Sequence, residues 1–102
     1  MKVFWTKSSL AALYEIYKYY KENVSTENAR KIRKIILSAT DQLEKHPRSG
    51  QIEELLEGVE GSHRYIVRNN YKLIYKIENN KVYITDIFDT RQDPDKIKER
   101  NQ

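Results

Sequence analysis

Tyr65-Ile66-Val67-Arg68, Tyr71-Lys72-Leu73-Ile74-Tyr75-Lys76-Ile77 and Val82-Tyr83-Ile84-Thr85-Asp86-Ile87-Phe88 are three short runs rich in β-branched and aromatic residues, and their reading decides the fold. Asn69-Asn70 separates the first two and Asn79-Asn80 lies between the second and third. Asn tolerates the positive φ that tight hairpin turns demand, so the runs read as a three-strand antiparallel meander. Arg91 then sits where the chain leaves the sheet.

Working outward toward the N-terminus, Val3-Phe4-Trp5 is too short for a helix and reads as an edge strand joining the same sheet. Thr6 or Ser8 offers an N-cap, and from Ser9 to about Glu22 Leu10, Leu13, Tyr17 and Tyr20 recur at alternating spacings of three and four. That is the stripe of an amphipathic helix, widened by Tyr14 and Ile16. Asn23-Val24-Ser25-Thr26 breaks the pattern, and Ser25 or Thr26 can cap a second helix with Glu27 in its first turn. This helix is expected to run to about Lys45, with Ala29, Ile32, Ile36, Ala39 and Leu43 as its stripe and Ile35 alongside. Two helices joined by so few residues imply an antiparallel hairpin.

His46-Pro47-Arg48-Ser49-Gly50 ends the second helix, because Pro disfavours helical backbone in the residue before it. Ile52 to Glu57 reads as a short helix or an ordered loop, bracketed by Gly58 and Gly61. After Arg91, Asp93-Pro94 caps a final stretch in which Asp95 to Arg100 forms one helical turn or stays mobile. The expected fold is therefore α+β: an N-terminal strand, a two-helix hairpin, then a meander packed on the helices as one small sheet. Residues 1–102 make a single domain, with 94–102 as a candidate mobile tail.

The net charge of +4 favours an acidic partner, nucleic acid or acidic peptide, without choosing between them. Absence of cysteine excludes disulfides, thiol nucleophiles and thiolate metal sites. The opening Met-Lys-Val-Phe-Trp has no apolar signal core, and no run approaches the roughly 20 apolar residues of a membrane span, so a cytoplasmic protein without membrane contact is expected. His63 with Glu57 and Glu60 has neither the spacing nor the ligand count of a metal site; no metal and no cofactor are expected.

Strand parity tests which side chains share a face. A two-residue turn at Asn79-Asn80 places Leu73, Tyr75, Ile77, Val82, Ile84 and Phe88 toward the helices. Lys72, Ile74, Lys76, Tyr83, Thr85 and Ile87 then line the other face. Arg64 and Arg68 join that second face only if the Asn69 turn holds an odd number of residues or a bulge. Two bare Arg in the core would be costly, so the odd turn or bulge is expected. The resulting target-binding surface combines Arg64, Arg68, Lys72, Lys76, Tyr83 and Arg91.

In the order of its parts the chain resembles the RelE/ParE superfamily of type II toxins, proteins of plasmid stabilisation. The resemblance rests on the Pro47-Arg48-Ser49-Gly50 loop, Arg64-Tyr65-Ile66-Val67, the Tyr71-Lys72-Leu73-Ile74-Tyr75 strand and the closing Asp89-Thr90-Arg91-Gln92-Asp93-Pro94. It implies a growth inhibitor neutralised by a cognate antitoxin, whose extended or helical segment wraps the toxin in a hetero-oligomer. Its target would be DNA gyrase or ribosome-bound mRNA. Arg64, Lys72 and Arg91 match cationic positions of the RelE-type catalytic site, where they would stabilise charge on a cleaved phosphate. The C-terminal Tyr or His of cleaving members has no counterpart, since beyond Phe88 there is neither, and the matching position is about Ile97. Tyr83 or His63 would have to take the role. The resemblance thus leans toward the ParE-like, gyrase-directed branch, in which the chain is no enzyme. A RelE-like endoribonuclease and a non-toxic basic interaction module are the alternatives.

Other features have plainer readings. Tyr14, Tyr17, Tyr19 and Tyr20 could stack bases, but Tyr17 and Tyr20 fall on the helix stripe and read first as packing. Arg30-Lys31-Ile32-Arg33-Lys34 reads as a solvated helix face before a nucleic-acid patch. Arg91 either serves a target or pairs with Asp86 or Asp89.

Overall fold

A computed structural model describes residues 1–58, 62–91 and 97. The elements run β1 (Lys2–Trp5), α1 (Lys7–Asn23), α2 (Thr26–Leu37), α3 (Ala39–Lys45), β2 (Gln51–Ile52), a 3-10 turn (Glu54–Leu56), β3 (His63–Arg68), β4 (Tyr71–Glu78) and β5 (Lys81–Asp89). The strands form one sheet in the order β1-β5-β4-β3-β2. The meander forms as the Asn pairs indicate: Asn69 adopts φ 57°, and Asn79 and Asn80 adopt 51° and 60°. β1 is the expected edge strand and runs parallel to β5. β2 adds an unexpected fifth strand at the opposite edge, and the 3-10 turn Glu54–Leu56 is the short helix expected within Ile52 to Glu57.

Thr6 pins the helix layer to the sheet. Its side chain accepts from the Ser9 N–H at 3.2 Å as the N-cap of α1, while its hydroxyl and N–H both donate to the Ile84 carbonyl, at 3.0 and 3.1 Å. Ser25 caps α2 by accepting from the Asn28 N–H at 3.1 Å. The second arm of the hairpin is not one helix to Lys45 but two, α2 and α3, separated at Ser38. There the Ser38 hydroxyl donates back to the Ile35 carbonyl, the side-chain competition by which Ser interrupts helices. α3 then packs against β1, and Trp5 Nε1 donates to Thr40 Oγ1 at 3.1 Å.

The main core lies between helices and sheet and gathers Leu13, Ile36, Ala39, Leu43, Ile66, Leu73, Tyr75, Val82, Ile84 and Ile87. The stripe of α1 is rotated from the expected one: Leu10 and Tyr14 are exposed, whereas Ser9 and Ala12 turn inward beside the expected Leu13, Ile16 and Tyr20.

Two parity expectations fail for one reason each. Tyr75 pairs with Ile84 but Ile74 pairs with Asp86, so Thr85 is an extra residue in β5. This bulge reverses the faces beyond it, sending Ile87 to the helices and Phe88 to the far side. In contrast Arg68 pairs directly with Tyr71 across a two-residue turn, so neither bulge nor odd loop exists at Asn69. Arg64 and Arg68 therefore belong to the helix side. The far face is not open throughout: Leu56, Ile74, Phe88 and the helical residue Ile97 form a second buried cluster. Ile97 is buried, and the Asp93-Pro94 cap with the rest of the candidate tail lies outside the described residues.

Candidate functional site

The strand pairing disperses the expected basic surface. Arg64 reaches past the core to donate through Nη1 to the Gly50 carbonyl at 2.9 Å. Arg68 leans over α3, donating to Ser38 Oγ at 3.1 Å and to Gln42 Oε1 at 2.6 Å. Hydrogen-bonded exits at the sheet margin, not a change of face, solve the problem of two arginines on the core side.

Lys72 lies on the far face, where its ammonium sits 2.8 Å from Glu53 Oε2 and 4.1 Å from the centre of the Tyr65 ring. Glu53 is only 4 % exposed. Lys72 is therefore committed to neutralising a buried carboxylate. Lys76 pairs with the exposed Glu78 at 3.1 Å, and Tyr83 stacks on Phe4.

Arg91 lies at the opposite corner, on the α1 side, and its partner is Asp89 rather than Asp86. Nε meets Oδ1 at 3.0 Å and Nη2 meets Oδ2 at 2.8 Å, a bidentate pair. Asp89 Oδ1 also accepts from the Arg91 N–H and from Asn70 Nδ2. The hydrogen bond from Arg91 is the main cause that holds the Asp89 carboxyl down at about 2, and the same contact pushes the guanidinium up. Beside them burial, then the Tyr20 hydroxyl, raises the Tyr71 phenol, so it stays neutral.

Arg91, Asp89 and Tyr71 form one wall of a groove of about 600 Å³ whose other wall is α1, with Ala11, Ala12, Glu15, Ile16 and Tyr19, and whose base includes Ile87. Its small apolar residues admit a close-lying segment, and its rim carries both charge signs. Parity alone could not find it, because the Thr85 bulge is what brings Ile87 and Asp89 to this side. Asp86, an acidic residue inside a β-rich run, was the available sign of irregularity.

Arg64, Lys72 and Arg91 thus do not converge, and each is held by an acceptor of the chain itself. His63 is buried and Tyr83 half-buried on the far face. Ile97, expected to fall near the position of a RelE-type C-terminal Tyr, is 1 % exposed. Among the described residues no three His, Cys, Asp or Glu are grouped to hold a metal, and no helix is long and apolar enough to cross a membrane.

No curated protein sequence matches the chain significantly. Among solved structures, the chain is similar to one from the chromosomal ParDE TA system of P. aeruginosa, with TM-score 0.71 and 21 % identity over 85 % of this chain and 92 % of that one. At this identity the likeness concerns the fold. The family model described as ParE toxin of type II toxin-antitoxin system, parDE, matches residues 3–94, nearly the whole chain. The chain belongs to the ParE toxin family of type II toxin-antitoxin systems.

Proposed function

We propose that this toxin acts by binding DNA gyrase rather than by cutting RNA, and that its cognate antitoxin neutralises it through a segment laid in the groove between α1 and β5. The observation that carries the first part is the dispersal of Arg64, Lys72 and Arg91. Stabilising a phosphate in a cleavage transition state needs donors preorganised around one point. Here Lys72 lies on the far face, Arg64 and Arg91 lie apart on the helix side, and the three are already satisfied by Glu53, Gly50 and Asp89. The buried Ile97 also leaves no proton-transfer group where RelE-type members place one.

A binder spreads its affinity over many contacts. Lys76, Tyr83 and the 66 %-exposed side chain of Arg91 would then each contribute part of the target surface, while Arg64, Arg68 and Lys72 mainly hold the scaffold. Arg91→Ala is expected to weaken target binding by about 1–3 kcal/mol and not to abolish toxicity. For the antitoxin, the apolar base of the groove suits small or aliphatic side chains, and Arg91 at its rim suits a carboxylate.

Controlled expression in growing cells tests the reading. Growth arrest with DNA-damage signalling and intact mRNA is expected, relieved by the antitoxin; arrest with site-selectively cut mRNA would establish the ribonuclease alternative, and no arrest a non-toxic interaction module.

A further inference from the structure

Lys2, Phe4, Lys76, Lys81 and Tyr83 occupy one corner of the far face, at the end of β5 remote from Arg91. The pairing that aligns Lys2 with Lys81 and Phe4 with Tyr83 sets all four on the same side, and Lys76 lies directly opposite Tyr83 on β4. Val3 and Trp5 point into the core, so alternation along β1 turns Phe4 outward.

Phe4 is 42 % exposed, and its ring stacks on Tyr83 with centroids 5.6 Å apart and planes 24° apart. The half-buried Tyr83 thereby holds an exposed aromatic surface in place. Lys81 Nζ lies 5.8 Å from the centre of the Phe4 ring. Neither Lys2 nor Lys81 has an ion-pair partner among the described residues, and Glu78 is occupied by Lys76. Two residues along a strand span about 7 Å, so the Lys2–Lys81 row stands one nucleotide's reach from the aromatic row.

We propose that this corner is a binding site for single-stranded nucleic acid. A base lies on the Phe4 ring and the adjoining phosphates meet Lys2 and Lys81, the combination of a stacking surface with cations that single strands require. The chain's net charge of +4 adds long-range attraction to a polyanion. An acidic peptide would use the lysines but leave the exposed ring without a role. The site lies on the opposite face from the groove beside Arg91, so an antitoxin segment there does not compete for it. The proposal stands independently of gyrase as the target, because it is read from direct binding by the chain.

Fluorescence anisotropy with the full-length chain and a labelled 12-nucleotide single-stranded DNA tests it. Binding is expected to weaken at least fivefold in Phe4→Leu, which keeps apolar volume at a half-exposed site, and to be retained in Phe4→Tyr. Two neutralised phosphates predict a further loss of about sevenfold between 50 and 200 mM salt. Circular dichroism melting of both variants separates binding from folding. Absence of binding at 100 µM chain overturns the proposal. So does equal affinity of Phe4→Leu and wild type, a preference for the corresponding duplex, or equal competition by a poly-glutamate peptide of matched charge.

Discussion

Replacing Tyr75 by Phe removes one oxygen that ties the helix layer to the sheet. The Tyr75 ring is fully buried, and its hydroxyl donates to the Pro47 carbonyl at 2.7 Å and accepts from the Gly50 N–H at 2.9 Å. Gly50 in turn presents its carbonyl to Arg64, so one phenol organises the loop after α3 and the exit of an arginine from the core side. In Tyr75→Phe the ring still fills its space, and the loss is that of hydrogen bonding alone. Leaving the buried Gly50 N–H without an acceptor costs about 1–3 kcal/mol, with a smaller term for the carbonyl of the half-buried Pro47. A destabilisation of about 2 kcal/mol is expected, or roughly 10 °C in Tm for a domain of this size. Urea unfolding followed by Trp5 fluorescence measures it. Gly50→Ala approaches the same contact from the other side: its Cβ would lie 2.5 Å from the Tyr75 hydroxyl and 2.7 Å from the Tyr65 carbonyl, so backbone must shift. The two substitutions are expected to be non-additive, because they disturb one contact. A Tyr75→Phe protein within 0.5 kcal/mol of wild type would refute this reasoning.

Leu73→Ala and Ile84→Ala, at fully buried positions facing the helices, are expected to destabilise by about 2–5 kcal/mol in the same urea assay, and Lys76→Ala by less than about 0.5 kcal/mol. Equal midpoints for all three would contradict the strand register. Lys72→Ala strands the Glu53 carboxylate and is expected to cost about 2–4 kcal/mol, toward the lower side because the Lys72 side chain is 21 % exposed; a cost like that of Lys76→Ala would show that the pair contributes nothing. Asp89 gives a pH signature. Its carboxyl is lowered from 3.8 to about 2 in the fold, so the charged form stabilises the native state at pH values above 3.8, and that contribution fades as pH falls through about 2. The stability difference between wild type and Asp89→Asn should be constant between pH 5 and 7 and close below pH 4; a difference unchanged down to pH 2 counts against the Arg91 contact in solution.

Much of this architecture was legible because local chemistry and global topology agree. The Asn pairs could serve as little else between β-rich runs, and Thr6 and Ser25 are efficient caps placed before apolar stripes. What escaped was set by tertiary contacts. The bulge at Thr85 exists where β5 pairs with β4, and one inserted residue exchanged the faces of Ile87 and Phe88. Arg64 and Arg68 escape the parity argument because that argument holds for arginines buried without partners, whereas Gly50, Ser38 and Gln42, all distant in sequence, accept their hydrogen bonds. The rotation of the α1 stripe away from Leu10 and Tyr14 likewise depends on how α1 rests on β5. The candidate cations were recognisable singly. Their separation was not, because each acceptor comes from another element.

The gyrase reading is tested most directly by DNA supercoiling with purified gyrase and the purified chain. Supercoiling is expected to fall as the chain is added, to recover when the antitoxin is supplied, and to require about 5- to 150-fold more protein for Arg91→Ala, the equivalent of 1–3 kcal/mol. Unchanged supercoiling at large excess of the chain, with the same preparation cutting ribosome-bound mRNA at defined sites, would contradict it.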